Sequence, residues 1–258
     1  MIEVHNLTFG YSATEDGQIL KGVDFAAKTG KLTALIGTNG AGKSTLLKTI
    51  MGILKGKGEI SVNGKPVSQY STKDFSSTVS YLSQDNDCKV NLSVFEVVML
   101  GRMGSMSFRV SDEDIAATQE VLERLNLQRF ASRSIMELSG GQRQLVFMAQ
   151  ALVKEPKILI LDEPTSALDL HKQFDLLTLL KNLTQENDFT TLVTLHHLDL
   201  AAMFADEIIV LKEGTVYAQG APKDIFTEAM MEDVYRVKTK IYMDDKGMPH
   251  VIPLEAIN

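Results

Sequence analysis

A glycine-rich segment at residues 37–44 has the residue types and spacing of a phosphate-binding loop. It reads Gly, four residues, Gly, Lys and Ser, and it ends on Lys43 and Ser44. Such a loop turns backbone N–H groups toward phosphate oxygens, and a helix that begins at its end adds a partial positive charge. The lysine neutralises the β and γ phosphates, and the serine hydroxyl can ligate Mg²⁺. The residues predicted to bind ATP here are Gly37, Thr38, Asn39, Gly40, Ala41, Gly42, Lys43, Ser44 and Thr45.

Two adjacent carboxylates, Asp162 and Glu163, follow an apolar run at residues 158–161. An apolar strand would deliver both to the end of a sheet, where Asp162 is predicted to hold Mg²⁺ through water. Glu163 is predicted to polarise the attacking water as general base, because phosphoryl transfer depends mainly on positioning and electrostatics. The alternative is an acidic pair at a helix N-terminus after any strand. A phosphate-binding loop in the same chain makes that alternative weaker.

A second anion cradle is predicted where Ser139, Gly140, Gly141 and Gln142 open a helix after Leu138. The serine is a good N-cap, and the two glycines expose backbone N–H groups. These features would suit a phosphate as well as the first loop does. Since the chain already has one phosphate-binding loop, the second cradle needs an explanation of its own.

The elements that must position these groups alternate between strands and helices. Strands are predicted at residues 2–9, 19–27, 32–36, 59–62, 78–82, 158–161, 191–195, 206–212 and 215–219, and helices at 43–51, 142–153 and 170–185. Turn chemistry at residues 12–17, 63–64 and 213–214 separates neighbouring strands. Apolar strands that alternate with helices predict an α/β fold whose sheet is mainly parallel and covered on both faces. The strand and helix around the first loop also argue against a chance match in a glycine-rich turn.

Residues 93–127 have a helical pattern and no strand signal, which predicts a helical insertion between two α/β halves. Ser93 with Glu96, and Ser111 with Asp114, have the spacing of helix caps. The apolar stripe expected on the second helix of the insertion consists of Ile115, Val121, Leu122 and Leu125.

The loop, the Leu-Ser-Gly-Gly-Gln pentapeptide and the acidic strand, in this order, resemble the ABC ATPase family over about residues 2–253. The resemblance implies a P-loop NTPase (RecA-like) core with an antiparallel β subdomain and an inserted α-helical subdomain. Residues 1–84 and 138–237 would form the core, residues 85–137 the helical subdomain, and residues 238–258 a C-terminal tail. In that family the pentapeptide closes over the γ-phosphate bound to a partner subunit. A head-to-tail dimer of two copies of this chain, with ATP between them, is therefore implied.

Two further catalytic residues follow from the resemblance. Gln84 matches the Q-loop glutamine, which faces Mg²⁺ and the attacking water and links the helical insertion to the core. His196 matches the switch histidine that contacts the γ-phosphate, and His197 is the competing residue. His196 is preferred because family members usually read His-Asp-Leu here, so His197 stands where aspartate is common. Ser83, which precedes Gln84, is a second departure, since proline is usual there.

Two more segments match the family outside the catalytic residues. Tyr11 matches the A-loop aromatic that stacks on adenine, with Phe9 as the alternative stacking residue. A tyrosine at a strand end that packs on the core is the other interpretation of Tyr11. Residues 166–169 match the D-loop, which crosses the dimer interface. This segment and the pentapeptide therefore both imply that the site needs a partner.

Several details resemble the importers of iron–siderophore complexes, haem and cobalamin. They are the Val-Val-Met-Leu-Gly-Arg stretch at residues 97–102, Ala149-Gln150, and the segments at residues 168–173 and 247–253. For such an importer we expect a separate membrane permease, whose coupling helix would dock at residues 91–109. An extracytoplasmic binding protein would deliver the substrate. The motor subunit of an exporter, and an ABC ATPase that acts on DNA or ribosomes, are the alternatives. The latter usually has a coiled-coil insertion or two motor domains, and neither is found in this sequence.

The composition limits which partners and which cellular compartment we expect for this chain. Its 258 residues are 44% hydrophobic and 23% charged, with a net charge of −7 and no basic block, which argues against a nucleic-acid partner. No apolar run approaches the roughly 20 residues of a membrane-spanning helix, and the N-terminus lacks a secretion signal. A single cysteine, Cys88, permits no internal disulfide and suits a reducing compartment. We expect a peripheral protein at the cytoplasmic face of the inner membrane, held by its permease.

Overall fold

The computed structural model describes residues 1–12, 17–84, 91–102 and 110–257. Most of the turn predicted at residues 12–17, Cys88, and residues 103–109 of the predicted permease-docking segment lie outside the described residues. The chain forms two compact units, one of residues 1–69 and 177–258 and the other of residues 70–176. In the described part of the chain, no helix has both the length and the apolar character needed to cross a membrane.

The first and second units contain twelve described strands. They are β1 (Ile2–Gly10), β2 (Gln18–Ala27), β3 (Lys31–Ile36), β4 (Lys57–Val62), β5 (Lys65–Pro66), β6 (Val79–Leu82), β7 (Ile158–Leu161), β8 (Thr190–Thr194), β9 (Glu207–Lys212), β10 (Thr215–Gly220), β11 (Val237–Met243) and β12 (Pro249–Ala256). The described helices are α1 (Lys43–Ile50), α2 (Thr72–Thr78), α3 (Val94–Met99), α4 (Asp112–Arg124), α5 (Gly140–Leu152), α6 (Leu170–Glu186), α7 (Leu198–Phe204), α8 (Pro222–Ile225) and α9 (Glu228–Met230).

The first unit combines an antiparallel sheet with a largely parallel one. Strands β2, β1, β4 and β5 lie side by side in that order, and β1 is antiparallel to both β2 and β4. The other sheet has the order β10-β9-β3-β8, in which β3 runs parallel to both β8 and β9. Every residue of β3 after Lys31 is buried, as expected for a central parallel strand covered on both faces. Its apolar run therefore places the glycine-rich loop at the carboxyl edge of a rigid sheet.

The second unit contains the parallel pair β6 and β7 and most of the helical segment. Capping boxes predicted from the sequence are confirmed at Ser93, which caps α3 with Glu96, and at Ser111, which caps α4 with Asp114. The predicted apolar stripe of α4 is wrong at Ile115, which is exposed, whereas Val121, Leu122 and Leu125 are buried. Asp114 and Thr118 occupy the buried face instead, because Asp114 is paired there.

Several elements were not predicted, among them α2 and the C-terminal hairpin. Helix α2 covers residues 72–78, where the sequence analysis placed only the first residue of a strand. Its cap is Ser71, whose hydroxyl accepts a hydrogen bond from the Asp74 N–H. The C-terminal tail forms the antiparallel hairpin of β11 and β12, which packs against α7 and is joined by a hydrogen bond from the Val251 N–H to Asp199. The tail is therefore an ordered part of the first unit.

An ion pair joins the end of the α3 segment to α4. The guanidinium of Arg102 donates to the Asp114 carboxylate over 2.5 Å and to the Val153 carbonyl over 3.2 Å. The bond from Arg102, followed by bonds from the backbone and hydroxyl of Ser111, lowers the pKa of Asp114 to about 2. Gly101 also fits tightly, since an added Cβ would clash with the carbonyl oxygen of Gln150. These contacts fix residues 100–102 against the body of the second unit.

We expect Asp114→Asn to lower the free energy of unfolding near neutral pH, because it removes a charge-assisted partner from Arg102. The ordinary pKa of this carboxyl group is 3.8, above its value in the folded chain. Its stabilisation is therefore complete above the ordinary pKa and is lost as the pH falls toward about 2. Urea unfolding across that range should show the difference between the wild type and Asp114→Asn shrinking as the pH falls. Glu120→Gln, which breaks an exposed pair with Arg124, is the control and should have a smaller effect. A pH-independent difference would contradict the ionic explanation.

Candidate nucleotide-binding and catalytic site

The glycine-rich loop connects the end of β3 to the start of α1. Gly37, Gly40 and Gly42 all have positive φ angles, of 149°, 81° and 102°, which side-chain-bearing residues rarely adopt. An added Cβ at Gly37 would clash with the Leu211 carbonyl oxygen, whereas one at Gly40 would meet nothing within 4 Å. No side chain caps the N-terminus of α1, and its first turn has no acidic residue. The loop therefore presents backbone N–H groups and a helix dipole that favour an anion.

Lys43 is the first residue of α1, and its side chain is buried. Its ammonium group donates to the Gly37 carbonyl over 2.8 Å and to the Thr38 carbonyl over 3.0 Å. Both acceptors belong to the loop, so the lysine folds back across it. This places a fixed positive charge beside the N–H groups that the sequence predicts to bind phosphate.

The two histidines follow β8, the strand next to the β3 strand that leads into the loop. Strand β8 pairs in parallel with β3, Leu35 lies opposite Thr194, and the Leu195 N–H donates to the Leu35 carbonyl over 3.4 Å. His196 follows directly, at the same edge of the sheet as the loop. His197 begins α7 as its N-cap residue, although its side chain accepts no capping hydrogen bond. Both histidines are exposed, so the preference for His196 stays a prediction.

Tyr11 follows β1 and is 67% exposed, so it does not pack in the core. Its ring stands edge-on to Phe9, with centroids 5.0 Å apart and an interplanar angle of 88°. Its backbone N–H donates to the Gly17 carbonyl over 3.1 Å. The contact with Phe9 leaves most of the Tyr11 ring surface open, which suits stacking on a base.

In the second unit, Gln84 and Glu163 are hydrogen-bonded. The Gln84 amide donates to a Glu163 carboxylate oxygen over 2.9 Å. The contact arises because β6 and β7 are parallel, with Leu82 opposite Leu161 and the Asp162 N–H donating to the Leu82 carbonyl over 2.9 Å. The predicted Q-loop glutamine is thus brought to the predicted general base.

Glu163 has a φ of 51°, in the left-handed region. For a residue with a side chain this conformation costs on the order of 1–3 kcal/mol and tends to persist at functional sites. The Ser166 N–H and hydroxyl both donate to the Glu163 carbonyl, over 3.3 and 3.1 Å, and hold the turn. Asp162, one residue earlier, is 1% exposed. The Asp162 carboxylate is therefore buried at the end of β7. The left-handed turn at Glu163 sets the direction of the Glu163 side chain.

The pentapeptide forms a capping box at the start of α5. The Gln142 N–H donates to the Ser139 hydroxyl over 3.3 Å, and the Ser139 N–H donates to the Gln142 side chain over 2.9 Å. An added Cβ at Gly141 would lie 2.8 Å from the Ala167 carbonyl oxygen, in the segment predicted as D-loop. An added Cβ at Gly140 would meet nothing within 4 Å. The segment around Ala167 explains Gly141, whereas nothing among the described residues around Gly140 requires a glycine.

Sequence reasoning missed the role of one residue that supports these loops. The Gln173 amide donates to the Thr165 carbonyl over 3.2 Å and to the Leu168 carbonyl over 3.0 Å, which fixes the turn before α6. From the sequence, Gln173 is only part of a family-like segment, because its two carbonyl partners are not visible in the residue pattern.

Comparison with known proteins decides the family. The ABC transporter family model matches residues 20–166, which is more than half of the chain. The chain belongs to the ABC transporter family. The family resemblance and fold class predicted from the motifs are thereby confirmed, and so is the assignment as an ATPase. ABC cassettes bind ATP, and a solved dimeric cassette bound to ADP and phosphate, in a post-hydrolysis state, is 30% identical to this chain with a TM-score of 0.77. The match covers 86% of this chain and 98% of that one.

Relatives of this ABC ATPase extend over nearly its whole length. The iron(3+)-hydroxamate import ATP-binding protein FhuC of Bacillus subtilis is 37% identical over 95% of this chain and 91% of its own. The ferric enterobactin transport ATP-binding protein FepC of Escherichia coli is 35% identical over 96% and 92%. A metal-chelate-type ABC transporter solved in an inward-facing conformation has a TM-score of 0.83 and 29% identity, covering 98% of this chain and 97% of that chain.

Proposed function

We propose that this ABC ATPase drives the import of a metal chelate, with an iron–siderophore complex as the first substrate to test and haem or cobalamin as others of the same class. The observation that carries the proposal is the full-length similarity to siderophore-import ATP-binding proteins, which extends beyond the family motifs into the C-terminal tail. Because the chain contacts ATP and a permease, the substrate itself would be bound by other subunits.

In this proposal the loop and Lys43 hold the β and γ phosphates, Tyr11 stacks on adenine, and Glu163 polarises the attacking water. Gln84 positions Glu163 before ATP arrives, and His196 contacts the γ-phosphate. The donor atoms fit Mg²⁺, since the Ser44 hydroxyl, the Asp162 carboxylate and the Gln84 amide oxygen are hard oxygen ligands. The ion would neutralise charge on the phosphates. Among the described residues, no group of three or more His, Cys, Asp or Glu side chains could hold a metal ion.

The proposed active form is a head-to-tail dimer, in which residues 139–142 of one copy close over ATP held by the loop of the other. Gly140 supports this arrangement, because its open surroundings call for glycine only if another molecule approaches it closely. A relative of this chain, a bacterial ABC transporter cassette 30% identical to it with a TM-score of 0.78, has been solved as a dimer. The subdomains proposed for each copy are residues 1–84 with 138–237, residues 85–137, and the tail at 238–258.

The membrane partner is proposed to be a separate permease that docks on the segment around residues 91–109. In its described part, Leu100 is 41% exposed while its neighbours are fixed by the Arg102–Asp114 pair. An exposed apolar side chain on a rigid support suits a docking helix. This contact would hold the chain at the cytoplasmic face of the inner membrane. An extracytoplasmic binding protein would supply the substrate, and no nucleic acid would be involved.

Uptake measurements in cells test this function. Deleting the gene should abolish uptake of a radiolabelled ferric siderophore, haem or cobalamin, and the wild-type chain should restore it whereas Glu163→Gln should not. The chain carrying an affinity tag should also retain an integral-membrane permease after detergent extraction. Unchanged uptake of all three substrates, together with a retained permease, would indicate another ABC transporter. Unchanged uptake of all three substrates, together with no retained permease, would point to a function outside transport.

A further inference from the structure

The chain after Glu163 makes two overlapping turns, each closed by a backbone hydrogen bond. The Ser166 N–H donates to the Glu163 carbonyl over 3.3 Å, and the Leu168 N–H donates to the Thr165 carbonyl over 3.1 Å. Glu163 begins the first turn with its left-handed φ of 51°. Such a conformation persists only where the surrounding structure restrains it. The second turn, from Thr165 to Leu168, must therefore be held in place if Glu163 is to keep its direction.

The side chain of Gln173 holds both ends of this second turn. Its amide nitrogen has two N–H groups, which donate to the Thr165 carbonyl over 3.2 Å and to the Leu168 carbonyl over 3.0 Å. Gln173 is 8% exposed, and its two partners are 5% and 7% exposed. Burying an amide costs free energy unless its N–H groups are hydrogen-bonded, so an apolar side chain would fill the same space at lower cost. The bonds to the two carbonyls are thus the reason for an amide at this position.

The second turn lies between two fixed elements of the second unit. On one side is the start of α6, where the Gln173 N–H donates to the Asp169 carbonyl over 2.9 Å. The Asp169 carboxylate accepts bonds from the Lys172 N–H over 3.0 Å and from the Lys172 ammonium group over 2.7 Å. On the other side, the Ala167 carbonyl oxygen lies 2.8 Å from the position that a Cβ on Gly141 would occupy. The turn therefore cannot shift unless α6 or the start of α5 moves with it.

We propose that Gln173 is a positioning residue for Glu163. It fixes the second turn, and the N–H and hydroxyl of Ser166 in that turn both donate to the Glu163 carbonyl. The Gln84 amide holds the other end of the same residue, at its carboxylate, over 2.9 Å. The base is thereby held at its backbone and at its reactive oxygen, and a shift of about 1 Å in a catalytic group can cost about 10²-fold in rate. The inference rests on the proposed role of Glu163 as general base.

The test is Gln173→Met, which keeps the length of the side chain and removes both N–H donors. We expect the kcat of ATP hydrolysis to fall about tenfold, because the base is held less precisely. KM for ATP should change less than about twofold, because the glycine-rich loop belongs to the first unit and the loss is confined to the transition state. Gln219→Met is the matched control, since the Gln219 amide also donates to a backbone carbonyl, that of Ala26, over 2.7 Å. It should keep the kcat of the wild type.

A second variant, Gln173→Lys, separates hydrogen bonding from packing. An ammonium group can donate to two carbonyls, as that of Lys43 does to Gly37 and Thr38. We expect Gln173→Lys to regain most of the kcat that Gln173→Met loses, even where both variants unfold below the wild-type temperature. Circular dichroism checks that each variant is folded. A folded Gln173→Lys chain that is as slow as Gln173→Met would contradict the proposal.

The same substitution in a Glu163→Gln chain distinguishes positioning from general destabilisation. Glu163→Gln alone tests the proposed function, since normal hydrolysis by this variant would refute Glu163 as the base. Where Glu163→Gln is slow, adding Gln173→Met should lower the residual turnover less than about twofold, because no base remains to be misplaced. The same fold loss in both backgrounds would make Gln173 a purely structural residue and overturn the proposal. So would a Gln173→Met chain that keeps the wild-type kcat and only unfolds at a lower temperature.

Discussion

Glu163→Gln is expected to reduce ATP turnover by about 10²–10⁴-fold, the contribution of a well-placed general base, while leaving ATP binding intact. The amide matches the carboxylate in size, and its oxygen can still accept the 2.9 Å bond from Gln84. The left-handed turn at this residue should also be retained, since its carbonyl is held by Ser166. The substitution therefore removes the basic oxygen and little else. With hydrolysis blocked, ATP should accumulate in a closed dimer.

Phosphate release, nucleotide binding and size-exclusion chromatography with ATP and Mg²⁺ together check this expectation. The matched control is Glu155→Gln, because Glu155 lies in the same unit, is exposed and has a similar left-handed φ of 50°. The control should hydrolyse ATP as the wild type does and should not be trapped as a dimer. Near-normal hydrolysis by Glu163→Gln would remove Glu163 from the role of base. Another acidic residue or a different activation of water would then be required.

The local features that the sequence predicted correctly are those determined over short stretches of chain. A helix cap joins residues about three positions apart, so the pairs at Ser93 and Ser111 and the N-cap at Ser139 follow from local sequence alone. The same holds for the apolar strand Ile158–Leu161, which Asp162 follows. Helix α2 was missed for the opposite reason, since Phe75 is its only apolar residue and gives no period to detect.

Contacts between distant segments could not be predicted in the same way. The bond between Gln84 and Glu163 requires that β6 and β7 be neighbours, and an apolar strand does not specify which strand it pairs with. The error at Ile115 has a related cause, because Arg102 draws Asp114 to the buried face and so determines which side of α4 faces inward.

Mixing two inactive chains is expected to restore nucleotide occlusion if each ATP lies between two copies. Ser139→Arg keeps the phosphate-binding loop but places a bulky cation where Ser139 caps α5 and beside the open Gly140. Lys43→Ala keeps the pentapeptide but removes the loop's fixed charge. Neither homodimer has a complete site, whereas the mixed dimer has one intact loop facing one intact pentapeptide. With equal amounts and random pairing, about one quarter of the wild-type sites should occlude ATP.

Occlusion is measured as ATP that stays bound through rapid gel filtration, and each variant alone gives the background. Introducing Glu163→Gln into both chains prevents hydrolysis during the measurement. Ser134→Arg is the matched control, because Ser134 also caps a helical turn in the second unit, through a 3.3 Å bond from the Met136 N–H. Mixed with Lys43→Ala, it should resemble the wild type mixed with Lys43→Ala, because its own pentapeptide is intact. Occlusion by Ser139→Arg alone would mean that the pentapeptide is not needed. Background occlusion at every mixing ratio would count against the shared site and would leave the glycine at position 140 without a reason.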